Sequence, residues 1–214
     1  ERENTANWEK LYAKQEKENE NPGLPGKFSE TERKFFQIKG KYIICPVKSG
    51  LMLIDQKRAH ERVLFERFLN CLSSHSPVSQ TELFPVVLNI SAADYSLLKE
   101  IEPELRILGF IIQFKGENKI IIKGRPSDST ATDPKEMIDI LIEEYRKSQT
   151  DPAIGVKEKL AAAMAGASAI PYGKTLLQNE MEDLFDTLFT CTAPNYSPGG
   201  KPVINILTIE DIDK

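Results

Sequence analysis

The chain has 214 residues, 40% hydrophobic and 28% charged, with 28 basic and 32 acidic side chains, 3 Cys and 2 His. That length allows one large domain or two small ones with a real core, and the composition excludes collagen-like, wholly disordered and disulfide-framework proteins. A net charge of −4 leaves any hold on a phosphate backbone to a local basic patch.

Cys/His zinc sites are scarce: there is no CxxC pair, and His60 and His75 lack the i, i+4 spacing of a zincin helix. An odd, small number of cysteines favours a reducing compartment. Apolar runs such as Tyr42 to Cys45 and Ile120 to Ile122 fall far short of the ~20 residues that span a bilayer. Glu1-Arg2-Glu3 does not open a signal peptide. A cytoplasmic chain without a membrane segment is expected.

Residues 1–35 are mostly Glu, Lys and Asn, punctuated by Pro22, Gly23, Pro25 and Gly26, and read as a disordered linker or tether. Trp8, Leu11 and Tyr12 within it have helical spacing. From Phe36, FFQIKGKYIICPV and LMLID predict an antiparallel pair joined at Lys48-Ser49-Gly50. QKRAHERVLFERFLNCL then predicts a helix with an apolar stripe of Ala59, Val63, Leu64, Arg67, Phe68 and Cys71. Asp55 falls at the strand end, with His60, Glu61 and Glu66 on the helix.

After a breaker at Ser73 to Pro77, QTELFPVVLNIS reads as a strand. AADYSLLKEIEPELRILG reads as one helix, capped by Ser91 and stopped by Gly109. FIIQFKG and NKIIIKGRP pair around Gly116-Glu117-Asn118, and DPKEMIDILIEEYRKSQ is a helix opened by Asp133 and Pro134. The result is a β-α-β-β-α module. In the last third, the Ala-rich KEKLAAAMAGASAI predicts a helix packed tightly against a sheet. LLQNEMEDLFDTLF predicts an amphipathic helix with Leu177, Met181, Leu184, Phe185 and Leu188 on its stripe. The loop CTAPNYSPGGKP leads to a final strand, VINILTI. The fold class is α/β (α+β).

Taken in order, SGLMLIDQKRAHERVLFE, the small module, the Ala-rich helix, NEMEDLFDTLF, a Gly/Pro loop and GKPVINILTIEDI resemble the C-terminal domain of the MutL family of DNA mismatch-repair proteins. The family's strand-to-helix junction reads DQHA, two residues, Glu, four residues, Glu. Asp55-Gln56-Lys57-Arg58-Ala59-His60-Glu61 and then Glu66 match much of it, and the resemblance spans Phe36 to Asp213. It implies a dimerisation subdomain at 36–75 plus 155–214, with a regulatory subdomain at 76–154 inserted in it.

Many members of that family are metal-dependent endonucleases, whose chemistry needs clustered ligands to hold a divalent ion and activate water. The resemblance leaves Asp55, Glu61 and Glu66 as vestigial metal candidates, but the His of DQHA is Lys57. The ACKxAxKAG motif aligns with Ala165 to Gly173, placing Gly166 at its Cys. CPHGRP aligns with Ser197 to Pro202, losing both Cys and His. The expectation is a degenerate nuclease site, with no metal and no catalytic residue. The plainer roles of these residues are a helix cap for Asp55, a solvated face for Glu61 and Glu66, a helix-surface position for His60 and packing for Cys191.

Gln80-Thr81-Glu82-Leu83-Phe84-Pro85 fits QxxLxP, which resembles the sequence by which MutL regulatory subdomains contact the β sliding clamp. Gln80, Leu83, Phe84 and Pro85 are thus the expected clamp contacts; Leu83 and Val86 facing the core is the alternative. The resemblance implies a homodimerising, non-enzymatic fragment whose partners are the clamp, MutS and a helicase or separate nuclease. DNA is reached through the full-length protein, and ATP and Mg belong to an N-terminal ATPase outside the fragment. Ile204 to Ile209 with Tyr42 to Cys45 are the expected interface strands, and the expected location is the cytoplasm, at the nucleoid. The rivals are a metal-dependent nuclease using Asp55, Glu61 and Glu66 with atypical ligands, and a small-molecule-binding α/β domain.

Overall fold

The computed structural model describes residues 34–74, 79–126, 133–148 and 155–214, and only the backbone of 79–84. The expected tether lies outside the described residues except for Lys34 and Phe35. The fold is mixed α/β with two antiparallel sheets.

The first sheet orders β1 (Phe36–Ile38), β2 (Tyr42–Val47), β3 (Gly50–Asp55) and β7 (Ile204–Thr208) as β1-β2-β3-β7. The run FFQIKGKYIICPV, expected to be one strand, is a hairpin in itself. Lys39 and Gly40 both have positive φ (51° and 56°), and the Lys41 N–H donates to the Ile38 carbonyl at 3.0 Å. This two-residue turn matches the right-handed strand twist.

Helix α1 (Gln56–Ser74) leaves the end of β3 directly. Its inward residues are Gln56, Ala59, Arg62, Leu64, Phe68 and Leu72, whereas Arg67 is exposed. The expected stripe placed the wrong arginine inside: Arg62 is buried because its guanidinium finds acceptors there, described below.

The second sheet orders β4 (Ser79–Asn89), β6 (Lys119–Pro126) and β5 (Ile111–Lys115) as β4-β6-β5. Between β4 and β5, the expected single helix is two, α2 (Ala92–Glu100) and α3 (Glu102–Ile107). Pro103 has no N–H to continue α2, so it opens the new helix in its first turn. Ser91 caps α2 as expected, its Oγ accepting from the Asp94 N–H at 3.1 Å.

Helix α4 (Pro134–Ser148) opens on the Asp133 carboxylate, which accepts the Lys135 N–H at 2.9 Å. The Ala-rich α5 (Val156–Ser168) packs against α1 and α4, not against a sheet. Its small side chains allow a close helix-helix approach. Helix α6 (Gln178–Thr190) buries Met181, Leu184, Phe185 and Leu188, each contributing about 1.5–3 kcal/mol. Leu177, expected on that stripe, stands exposed at the N-cap, where the Glu180 carboxylate accepts its N–H at 2.7 Å. A short α7 (Ile209–Ile212) ends the chain.

Two apolar cores result. One joins Phe35, Ile43, Cys45, Met52 and Ile54 to α6; the other joins Leu88, Ile120 and Ile122 of the second sheet to α4, α5 and the C-terminal half of α1. Helix α1 therefore enters both, and its first turns and the loops beside them form the candidate site. No helix among the described residues is long and apolar enough to cross a membrane.

Candidate functional site

Asp55 is the hinge between β3 and α1. It is buried, and its Oδ1 accepts the Arg58 N–H at 3.1 Å, the helix-capping role. Oδ2 lies 3.4 Å from the Arg58 Nε, and the Tyr172 hydroxyl donates to both oxygens at 2.9 and 3.1 Å. Burial, then this bond, pushes the Tyr172 hydroxyl up to about 12, so it stays a donor.

Gln56, fully buried, is the residue the sequence reading passed over. Its Oε1 accepts from the Gln37 Nε2 at 2.6 Å, and its own Nε2 donates to the Lys174 carbonyl at 3.1 Å. Gln37 also accepts the Leu176 N–H at 3.2 Å. These amides tie β1, α1 and the loop before α6 together. A buried amide with every partner supplied is a structural clamp.

His60 is not a surface residue. Half-buried, it accepts the Ile170 N–H on Nδ1 at 3.1 Å, and burial, with a contribution from Lys174, pulls it down to about 4. It is a neutral acceptor near pH 7, holding the end of α5 against α1.

Glu61 and Glu66 diverge on the helix, as a five-residue offset requires. Glu66 accepts the Thr192 N–H at 3.0 and 2.9 Å and its hydroxyl at 2.8 Å, and lies 3.7 Å from Arg62. The Arg62 Nε in turn donates to the Tyr196 carbonyl at 2.7 Å. This pair anchors the loop after α6 and is no solvated face. Cys191, at the C-cap of α6, is pushed up to about 11 by burial and then Glu66, which keeps it a thiol.

Glu61 is half-buried, 4.0 Å from the Lys57 ammonium, and burial raises it above the usual carboxylate range. It lines a cleft of about 780 Å³ whose walls include Lys57, Glu144, Gly166, Ser197 and Lys201. Three segments far apart in sequence thus meet at one place. The side chains at the aligned ligand positions are an ammonium, a hydroxyl and, at Gly166 and Gly199, none. The Ser197 Oγ already accepts the Lys201 N–H at 3.2 Å. Among the described residues no three His, Cys, Asp or Glu side chains cluster closely enough to hold one ion. The donor set does not fit a divalent metal.

The side chains of Gln80, Leu83 and Phe84 lie outside the described residues; Pro85 is exposed. Their backbone is informative. Thr81 pairs with Gly124 and Val86 with Ile122, so residues 82–85 stand opposite Lys123 alone and leave the ladder of an edge strand.

A family model described as the MutL C terminal dimerisation domain matches residues 35–176. A DNA mismatch repair protein MutL from Bacteroides fragilis is 38% identical over 83% of this chain and 28% of its own length. The protein of that name from Flavobacterium johnsoniae is 32% identical over 98% of this chain and 35% of its own length. The chain spans about a third of the length of these relatives.

Proposed function

Because the chain belongs to the family of MutL C-terminal dimerisation domains, we propose that it joins two copies of a mismatch-repair matchmaker, couples them to partners, and does not itself cut DNA. The observation that carries the reading is the outward row of the first sheet. Phe36, Ile44 and Leu53 share one rung, and Pro46, Leu51 and Leu207 the next on the same face. Phe36 and Ile38 are 57% and 47% exposed, and Ile44, Leu51 and Leu53 are half-buried.

An antiparallel sheet with one face on a core ordinarily turns polar side chains outward; an apolar outer face marks an interaction surface, and a second copy meets it self-complementarily. Of the strands expected at the interface, β7 contributes Leu207 and β2 contributes Ile44, whereas Ile43 and Cys45 face the core. We assign 36–75 plus 155–214 to the dimerisation subdomain and 76–154 to the regulatory one. Pairing here makes the ATPase heads of the longer protein, with their ATP and Mg, intramolecular neighbours.

Loss of nuclease chemistry is supported by Lys57, Gly166, Ser197 and Gly199 at the aligned ligand positions, and by the engagement of Asp55 and Glu66 with protein partners. The clamp contact is supported by the backbone of 82–85, which leaves the ladder at an edge strand, and by the exposure of Pro85. MutS and a helicase or separate nuclease are the remaining partners, in the cytoplasm at the nucleoid.

Sedimentation equilibrium tests the central reading. The chain is expected to be a dimer at micromolar concentration, and Ile44→Glu with Leu53→Glu a folded monomer. A wild-type monomer overturns the reading. Supercoiled plasmid with clamp and Mn²⁺ is expected to stay intact; nicking abolished by Glu61→Ala overturns the non-catalytic part. Gln80→Ala, Leu83→Ala, Pro85→Ala should abolish clamp pulldown, and undiminished capture sinks that contact.

A further inference from the structure

The second sheet ends on two edges, β4 and β5, and they are not alike. The β4 edge breaks at 82–85, whereas β5 pairs with β6 without interruption from Ile112 to Lys115. Backbone direction alternates along a strand, so one bond fixes the rest. The Asn118 carbonyl accepts the N–H of Ile90, just past β4, at 3.0 Å. The next N–H, that of Lys119, therefore points to β5, and Lys119 and Ile121 bond with their partners Lys115 and Gln113. Ile112 and Phe114 are left with N–H and C=O groups turned outward, and no strand among the described residues pairs with them.

A hollow of about 260 Å³ adjoins this edge, lined by Glu102, Leu105 and Arg106 of α3 and by Phe110, Ile111 and Ile112. No residue of β6 lines it, so it opens on the side of β5 away from β6. Its floor is apolar: Leu105 and Phe110 are buried, and Ile111 stands 43% exposed at the rim. The charges at the mouth satisfy each other, Arg106 lying 2.9 Å from Glu102. An apolar cavity of about 150 Å³ holds a benzene ring, so this one has room for a large apolar side chain.

Charge selects what fits. Strands β5 and β6 carry Lys115, Lys119, Lys123 and Arg125 and no acid. Opposite charges facing each other across neighbouring strands stabilise the pairing and like charges oppose it. The acids nearby are Glu102, held by Arg106, and Glu117 at the tip of the hairpin. A second copy of the chain would set one basic face beside another, whereas an acidic strand complements it.

We propose that the outer edge of β5 takes an extended, acidic segment of a partner protein as a further strand of the second sheet, with one apolar side chain of that segment in the hollow beside α3. Main-chain bonds to Ile112 and Phe114 supply affinity, and the hollow and Lys115 supply selectivity. The site is separate from the clamp contact proposed above, which lies at the β4 edge with β6 between them, and it does not rest on that reading.

The test pans the 214-residue chain against displayed random peptides of about eight residues, an ordinary strand length. Enriched peptides are expected to alternate apolar and polar positions and to favour acids over Lys and Arg, and synthetic copies to bind in fluorescence anisotropy. N-methylation of alternate peptide nitrogens should abolish binding in one register and spare it in the other, because only one set of N–H groups in an added strand faces β5. Lys115→Glu, exposed at the strand end, should weaken the acidic peptides at least ~threefold by exchanging a cross-strand attraction for a repulsion. Ile111→Ser should weaken them through the hollow, and Lys135→Glu, exposed on α4, should change nothing.

No enrichment, equal loss from both N-methyl registers, or binding indifferent to Lys115→Glu and Ile111→Ser overturns the proposal. Sedimentation of the same variants without peptide should match the wild type; a shift in oligomeric state would give this edge to a second copy and also overturn it. Clamp pulldown should be unchanged in both variants, and its loss would make the two edges one site, against the proposal.

Discussion

Tyr172 donates its hydroxyl hydrogen to Asp55, 117 residues away in sequence, at 2.9 Å from Oδ2 and 3.1 Å from Oδ1. With the Arg58 N–H and guanidinium on the same carboxylate, Asp55 is a buried structural acceptor that starts α1. Hydrogen bonds to a charged acceptor contribute about 1.5–3 kcal/mol, less where the donor is half in water. Tyr172 is 45% exposed, so Tyr172→Phe is expected to lose about 1 kcal/mol in urea unfolding. Asp55→Ala also loses the cap and strands Arg58, and is expected to lose about 2–4 kcal/mol. Unchanged stability in both variants would return Asp55 to the ligand role.

His60 makes stability depend on acid. Its folded-state pKa, pulled down to about 4, lies below the ordinary imidazole value of 6.5, so the unfolded chain binds the extra proton between them. The His60 contribution is therefore fully present above pH 6.5 and is lost as pH falls through about 4. Its slope approaches about 1.4 kcal/mol per pH unit within that window. Glu61, raised, acts in the opposite sense, so the comparison must be with His60→Asn, which keeps an acceptor for the Ile170 N–H and does not titrate. Urea unfolding at pH 4.5 to 7 is expected to show a shallower loss in the variant; parallel curves would remove His60 from the account.

What could be read from the sequence depended on how local the signal was. The strand ending at Asp55, the helix after it, the Ser91 cap and the hairpin at 116–118 each rest on residues a few positions apart, and all stand where expected. The two-residue turn at Lys39-Gly40 escaped because Lys is not a turn residue and the apolar run continues past it. Pro103 did carry a signal for the break between α2 and α3, which the apolar periodicity outweighed. Arg62 rather than Arg67 is inside because of carbonyl and carboxylate partners more than 100 residues away or on the next helical turn, which no stripe records. The meeting of Lys57, Gly166 and Ser197 in one cleft was legible only through the order of the resembling motifs.

Gly40 gives a sharper test of the loop framework. It adopts φ 56°, and a Cβ there would meet the backbone of Gly173 at 2.6 Å. Backbone on both sides cannot yield as a flexible side chain would, so Gly40→Ala combines left-handed strain with a steric clash. A loss of about 2–4 kcal/mol is expected. Gly116→Ala, where an added Cβ meets nothing within 4 Å and φ is not positive, is the control and should stay within about 0.5 kcal/mol. Equal effects would mean that the Gly40–Gly173 approach is not a constraint.

The cleft also predicts what it would take to hold a metal. An added Cβ at Gly166 meets the Glu144 Cγ at 3.6 Å, an ordinary contact, and one at Gly199 meets only the Ser197 Oγ at 4.0 Å. The space for side chains at these positions is therefore present, and what is missing is donor chemistry. Soft and imidazole ligands select zinc, and a site of about four such ligands binds it tightly. Lys57→His with Gly166→Cys, Ser197→Cys and Gly199→His both removes the resident ammonium and supplies those donors beside Glu61. After dialysis against zinc and then buffer, the quadruple variant is expected to retain about one ion per chain, and the wild type far less. Stoichiometric zinc in the wild type would show that the cleft holds metal through donors other than those aligned with the family motifs, and would reopen the nuclease reading. Zinc-free behaviour in both would place the barrier in the backbone positions of the three segments rather than in their side chains.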